Sequence, residues 1–143
     1  MANDLQNVKE KIKNLPSLKY YDVEDFVKFG GDADKITKEL GNNDIKTSQL
    51  RKFFAAIKDI DIYLKDKDIW DEKAKMDFYL LMPKLAYANG RDVIGDKFFE
   101  LMKISMEKVG SGKEEDTLVD FKIFTQFLEA IVAFYKVNNP KSQ

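Results

Sequence analysis

The chemistry available to this sequence is concentrated in its cations. Arg51, Lys58 and Lys65 recur every seven residues, which sets them in one stripe along a helix. Lys46 and Lys52 lie near the start of the same segment, where the positive end of the helix dipole disfavours cations. Cations kept there suit an anionic partner, because a helix N-terminus and basic side chains both attract phosphate. The same charges also fit a solvated face held by pairing at i,i+4, and periodicity alone does not separate the two. The distribution along the chain is uneven although the formal net charge is −1: residues 1–45 hold 7 basic and 9 acidic side chains, residues 46–91 hold 10 and 7, and residues 92–143 hold 7 and 9. The cationic excess sits in the middle.

What is missing narrows the chemistry further. The 143 residues include no Cys, so there is no disulfide framework, thiolate nucleophile or Cys-ligated zinc. They include no His, which removes the commonest general base and the Ser-His and Cys-His pairs. An enzyme would have to rely on carboxylates, Lys, Tyr or carboxylate-bound Mg²⁺. Asp59, Asp61, Asp66, Asp68, Asp71 and Glu72 resemble a Ca²⁺ loop only superficially, since the turn glycine is missing and lysines are interspersed. Gly30-Gly31 and Gly110-Ser111-Gly112 match no phosphate loop and follow no strand, so they read as helix stops. No catalytic residue, metal ligand or cofactor is nominated, and the composition favours binding over catalysis. No apolar run reaches the roughly 18–20 residues of a membrane span. The start, Met1-Ala2-Asn3-Asp4, lacks the pattern of a secretory leader, so a soluble cytoplasmic protein is expected.

Helices must position these groups. Asp4 opens a short one with Leu5, Val8 and Ile12 on a face, ended by Asn14 and Pro16; Tyr21 to Phe29 reads as a second; Asp32 offers an N-cap for a third that runs to Gly41. Such short helices are marginal alone and must pack on something larger. The stretch after Thr47, a plausible N-cap, carries Leu50, Phe53, Phe54, Ile57, Ile60 and Leu64 at helical spacing to about residue 64. A second long helix is expected from about Asp71 to Asn89, interrupted at Pro83; being apolar nearly all round, it reads as central. A third covers about Asp92 to Val109, followed by a flexible acidic loop, and a last one runs from about Thr117 to Val137, leaving 138–143 as a flexible tail. The expected fold is a single all-α domain, a compact bundle of about five to seven helices. Its core should include Phe53, Phe54, Ile57, Leu81, Leu85, Phe98, Phe124, Phe127 and Ile131.

Three stretches carry a resemblance: Thr47-Ser48-Gln49-Leu50-Arg51-Lys52-Phe53, the run Leu81 to Arg91 containing Pro83-Lys84-Leu85-Ala86-Tyr87, and Phe124 to Lys136 containing Glu129-Ala130-Ile131-Val132-Ala133-Phe134-Tyr135. In this order and spacing the chain resembles the small subunit of the type III-A CRISPR effector, the Csm complex, over residues 32–137, with Phe134 where that family more often has Tyr. Residues 1–31 match weakly.

The resemblance implies a small helical protein without catalytic activity. Several copies would stack beside the backbone subunits and the large polymerase-like subunit, facing guide RNA and target RNA. Guide pairing supplies sequence specificity in such systems, so phosphate and sugar contacts suffice. Residue chemistry and resemblance together nominate Lys46, Gln49, Arg51 and Lys52 at one helix start, Lys84 and Arg91 on or just after the interrupted helix, and Lys136 at the end of the last. Tyr87 is a candidate stacking platform, though a core tyrosine is the more ordinary reading. Two alternatives stand beside this: a helical protein–protein adaptor using Ala55 and Ile62 as a seam, and the small subunit of a type III-B complex.

Overall fold

The computed structural model describes residues 3–143. Met1 and Ala2, part of the start read as lacking a leader, lie outside the described residues. In chain order the elements are α1 (Asp4–Lys13), a 3-10 turn (Leu18–Tyr20), α2 (Val23–Val27), α3 (Asp32–Thr37), α4 (Thr47–Tyr63), α5 (Glu72–Gly90), α6 (Asp96–Glu107), a second 3-10 turn (Glu114–Asp116) and α7 (Thr117–Asn138). No strand occurs among the described residues, and the expected all-α bundle is the observed one.

Helix α7 is the centre. Phe121, Phe124, Phe127, Leu128, Ile131 and Tyr135 are fully buried along its 22 residues. Those positions point to several sides of the helix, so no single neighbour can cover them. α3 and α4 cover most, and α2 with the first 3-10 turn closes the rest. Tyr21 and Phe26 meet Phe127 at ring-centroid distances of 5.4 and 5.3 Å. α2 and α3 thus gain from α7 the stability they lack alone, and α1 gains it from α3 and α6.

Buried carboxylates fasten the connections. Asp120 on α7 is fully buried and accepts the Lys19 N–H at 2.6 Å and the Gly110 N–H at 2.9 Å. It thereby ties the first 3-10 turn and the α6–α7 loop to the central helix. That loop was expected to be flexible. Instead Lys19 pairs with Asp116 at 3.0 Å, and the Ser111 hydroxyl donates to the Pro16 carbonyl at 2.9 Å. Asp32 is not the N-cap of α3, which is Gly31. Its carboxylate accepts from the Tyr21 hydroxyl at 2.6 Å and pairs with Lys11 at 2.8 Å, joining α1, α3 and the residue that ends the first 3-10 turn.

Other expectations need correction. α5 is peripheral, held chiefly by α4 and α6, with Met76, Tyr79, Leu80 and Tyr87 exposed. α6 begins at Asp96 rather than near Asp92, because Asp92 adopts φ 61°, a left-handed conformation that Asp tolerates and a helix does not. Residues 138–143 do not trail away: the Tyr135 hydroxyl donates to the Ile45 carbonyl, and Ser142 is buried against the start of α4. Phe53, Phe54 and Leu81 are half-buried, while the other six expected core residues are buried.

Phe127→Ala should cost about 3–5 kcal/mol in urea unfolding, since its surroundings are fixed from three sides. A loss below about 1 kcal/mol would remove α7 from the centre. Burial, then the hydrogen bond to Asp32, pushes the Tyr21 hydroxyl well above its ordinary range. The unfolded tyrosine ionises near about pH 10 and the folded one does not, so this stabilisation is complete below about pH 10 and is lost as pH rises beyond it. Tyr21→Phe should flatten the alkaline loss of stability measured by denaturation between about pH 9 and 12.

Candidate nucleic-acid interface

Because α7 occupies the inner face of α4, only the edge of α4 is left for α5. The two helices meet over a cleft of about 450 Å³. Phe53, Leu81, Leu85, Ile94 and Phe98 form its floor, which explains why Phe53 and Leu81 are only half-buried. Gln49 and Lys52 stand on the α4 side and Lys84 on the α5 side. The end of the cleft is set by Gly95, whose N–H donates to the Asp44 carbonyl at 2.7 Å. A Cβ at Gly95 would lie 2.7 Å from the Asn43 carbonyl oxygen, so this approach requires glycine and brings Ile94 beside Ile45.

The nominated residues do not all converge. Gln49, Lys52 and Lys84 share the cleft. Arg91 caps the C-terminus of α5, and its guanidinium lies 5.2 Å from the Tyr87 ring centroid. Leu80, Lys84, Tyr87 and Arg91 follow the i,i+3/i+4 rule and share one exposed stripe beside the cleft. Tyr87 is 67% exposed, which overturns its reading as a core residue. Lys46 is the N-cap of α4, next to Ile45 at the cleft's end. Arg51 is exposed but lies about 160° around α4 from Gln49 and Phe53, on the far side from the cleft. Lys136 is on α7, donating to the Pro140 carbonyl at 3.2 Å.

The start of α4 is already capped, and not by Thr47. The Ser142 hydroxyl accepts the Thr47 N–H at 3.0 Å and donates to Asn42 Oδ1 at 2.8 Å. The main-chain oxygen of Gln143 accepts the Ser48 N–H at 2.9 Å. The Thr47 hydroxyl is buried without a hydrogen bond among the described residues. Two of the amide donors that would attract phosphate to this helix end are therefore occupied, and the cationic side chains remain.

Charge is used differently across the surface. Lys58 pairs with Asp61 at 3.4 Å, and Lys122 reaches the same carboxylate at 3.8 Å, so the stripe Arg51, Lys58, Lys65 is neutralised in its middle. None of the six nominated cations makes an ion pair among the described residues, whereas nine other lysines do. Beyond Lys84 the space between α4 and α5 continues past Asp59, Lys73 and Asp77. There Lys73 holds Asp77 at 2.6 Å. Asp71, in the acidic stretch compared with a Ca²⁺ loop, accepts from the Tyr63 hydroxyl and the Ala74 N–H, which hold its carboxyl below the ordinary range while capping α5.

Fold and site define a small all-α protein with an apolar cleft and, among the described residues, unpaired cations on its lips, in a chain without His or Cys. Comparison with known families is specific. The Csm2 Type III-A family model matches residues 21–141, and the chain belongs to that family, the small subunit of the type III-A Csm effector complex. The match begins at Tyr21, ahead of residue 32 where the sequence resemblance began, and leaves α1 outside. No curated protein and no solved structure matches the chain. Among the described residues no helix is long and apolar enough to cross a membrane.

Ser142→Ala removes the partner of the Thr47 N–H and should cost about 0.5–2 kcal/mol, the usual effect of losing a helix cap. Urea unfolding measures it.

Proposed function

We propose that the chain serves its complex as a non-catalytic small subunit that holds guide and target RNA by their backbones. The observation that carries this reading is the pair of unpaired lysines, Lys52 and Lys84, on opposite lips of one cleft, with Arg91 on the same stripe of α5 as Lys84. Lys46 adds a cation at the end of the cleft, whereas Arg51, on the far side of α4, and Lys136, at the end of α7, lie off this path. Gln49 supplies an amide that either donates to phosphate or accepts from a ribose hydroxyl. Without His, Cys or a phosphate loop, strand cleavage is left to other subunits.

Several copies stack along the assembly beside the large and backbone subunits, so weak contacts act together at high effective concentration. Exposed apolar side chains support these protein contacts: Met76, Tyr79 and Leu80 on α5, and Ile62 with Ala55 on α4, the seam that an adaptor would use. An RNA-guided complex of this kind operates in the cytoplasm.

Each phosphate neutralised on a single strand contributes roughly 0.7 to the slope of log affinity against log salt. Three cations at the cleft predict a slope of about 2, with dissociation constants of about 10⁻⁴–10⁻⁶ M for one copy. Lys52→Ala and Lys84→Ala should each lower the slope by about 0.7 and weaken two unrelated RNAs equally, while Lys35→Ala on α3 leaves it unchanged. Titration across a salt series reads this directly. Slopes unchanged in both cleft variants would place RNA on another surface, and salt-independent binding would favour the adaptor.

A further inference from the structure

A strand lying only on the lips of the α4–α5 cleft would leave its apolar floor in water. Building on the RNA reading above, we propose that each copy of the chain takes one unpaired nucleotide of a single strand into this cleft, its base on the floor and its phosphate across Lys52 and Lys84. The space of about 450 Å³ is of the size that holds small organic ligands. Phe53, Leu81, Leu85 and Phe98 present apolar and aromatic surface, and every base has a face that such surface accepts. Gln49 at the lip carries both a donor and an acceptor, so it meets the edge of any base without selecting one.

Charge fixes both the occupant and its direction. No carboxylate lines the part of the cleft between Gln49 and Ala88. The continuation is lined by Asp59 and Asp77, and Asp59 makes no ion pair among the described residues. An anionic strand therefore crosses the helices at Lys52 and Lys84 and does not run along them, which limits the cleft to about one nucleotide per copy. The acidic amphipathic helix of a protein partner would have to lie along the groove and would meet the same carboxylates.

The test titrates the full chain, at each of several salt concentrations, with an oligouridylate and with an oligomer of equal length that has ribose and phosphate but no bases, and compares the two strands at matched salt. Ala56→Leu and Ala88→Leu, one on each lip, fill the cleft from opposite sides, so the result does not depend on either variant alone folding; circular dichroism identifies the folded ones. The base-bearing strand should bind about tenfold more tightly than the abasic one, a ratio expected from stacking of one base. In the filled variants this preference should vanish while the salt slope stays. Equal affinity for the two strands, with the slope retained, would overturn the nucleotide pocket and leave backbone binding standing. A base preference that survives both fillings would overturn the placement. Absence of salt-dependent binding to either strand would overturn both readings.

Discussion

A 22-residue helix with aromatic and aliphatic side chains on several sides cannot remain wet, and covering α7 is the constraint from which the rest of this structure follows. At roughly 1.5–3 kcal/mol for each large side chain withdrawn from water, six residues on α7 supply a term large enough to organise a chain of this size. The N-terminal helices of 10, 5 and 6 residues are too short to persist alone; α2 and α3 are folded as lids on α7, and α1 in turn packs on α3 and α6. Buried polar groups then select one arrangement of those lids. Asp120 holds two backbone amides, and Asp32 gathers Tyr21 and Lys11. Removing any of these partners would leave a buried group unpaired, which costs more than the bond contributes.

The same constraint produces the proposed RNA surface by default. α4 spends Leu50, Ile57 and Ile60 on the core, and what remains for α5 is the line of Gln49, Lys52, Phe53 and Ala56. Two helices that meet along such an edge do not close, so a floor of apolar side chains stays accessible beneath cationic lips. Gly95 keeps the end of the cleft in place by allowing the α5–α6 turn to touch the loop before α4. Electrostatics divides the surface again. Lys9 on α1, Lys58 on α4 and Lys103 on α6 are matched by nearby carboxylates, whereas among the described residues Lys52, Lys84 and Arg91, like several other surface lysines, are not. Unpaired, hydrated cations beside apolar surface suit a ligand that is anionic on one side and aromatic on the other.

Local periodicity made most of the fold legible before any coordinates. Long helices announce themselves because their apolar spacing is repeated many times, as in Phe121, Phe124, Leu128 and Ile131. Features decided by distant partners were not legible. α5 and α7 are both apolar all round in sequence, and only packing decides that α7 is central and α5 marginal. Thr47 reads as a cap by its position, yet Ser142, 95 residues away, takes the N–H instead. Arg51 and Lys52 are adjacent in sequence and face different sides of one helix, so their shared charge hides that only Lys52 lines the cleft. By its type Tyr87 reads as core; its spacing to Lys84 and Arg91 is the signal that sets it on the polar stripe. The cleft itself had no local signature, since its walls come from α4, α5 and α6 together.

Amide chemical-shift perturbation tests the central claim most directly, because the chain is small enough for residue-by-residue assignment. On titration with an unstructured single-stranded RNA, the shifted amides should cluster on Gln49, Lys52, Phe53 and Ala56, on residues 81–91 and on residues 94–98, with no comparable change on the opposite side of α4 or around Lys136. Shifts centred instead on Arg51, Lys58 and Lys65, or on the C-terminal segment beside Ser142, would contradict the assignment of the α4–α5 cleft as the RNA-bearing surface.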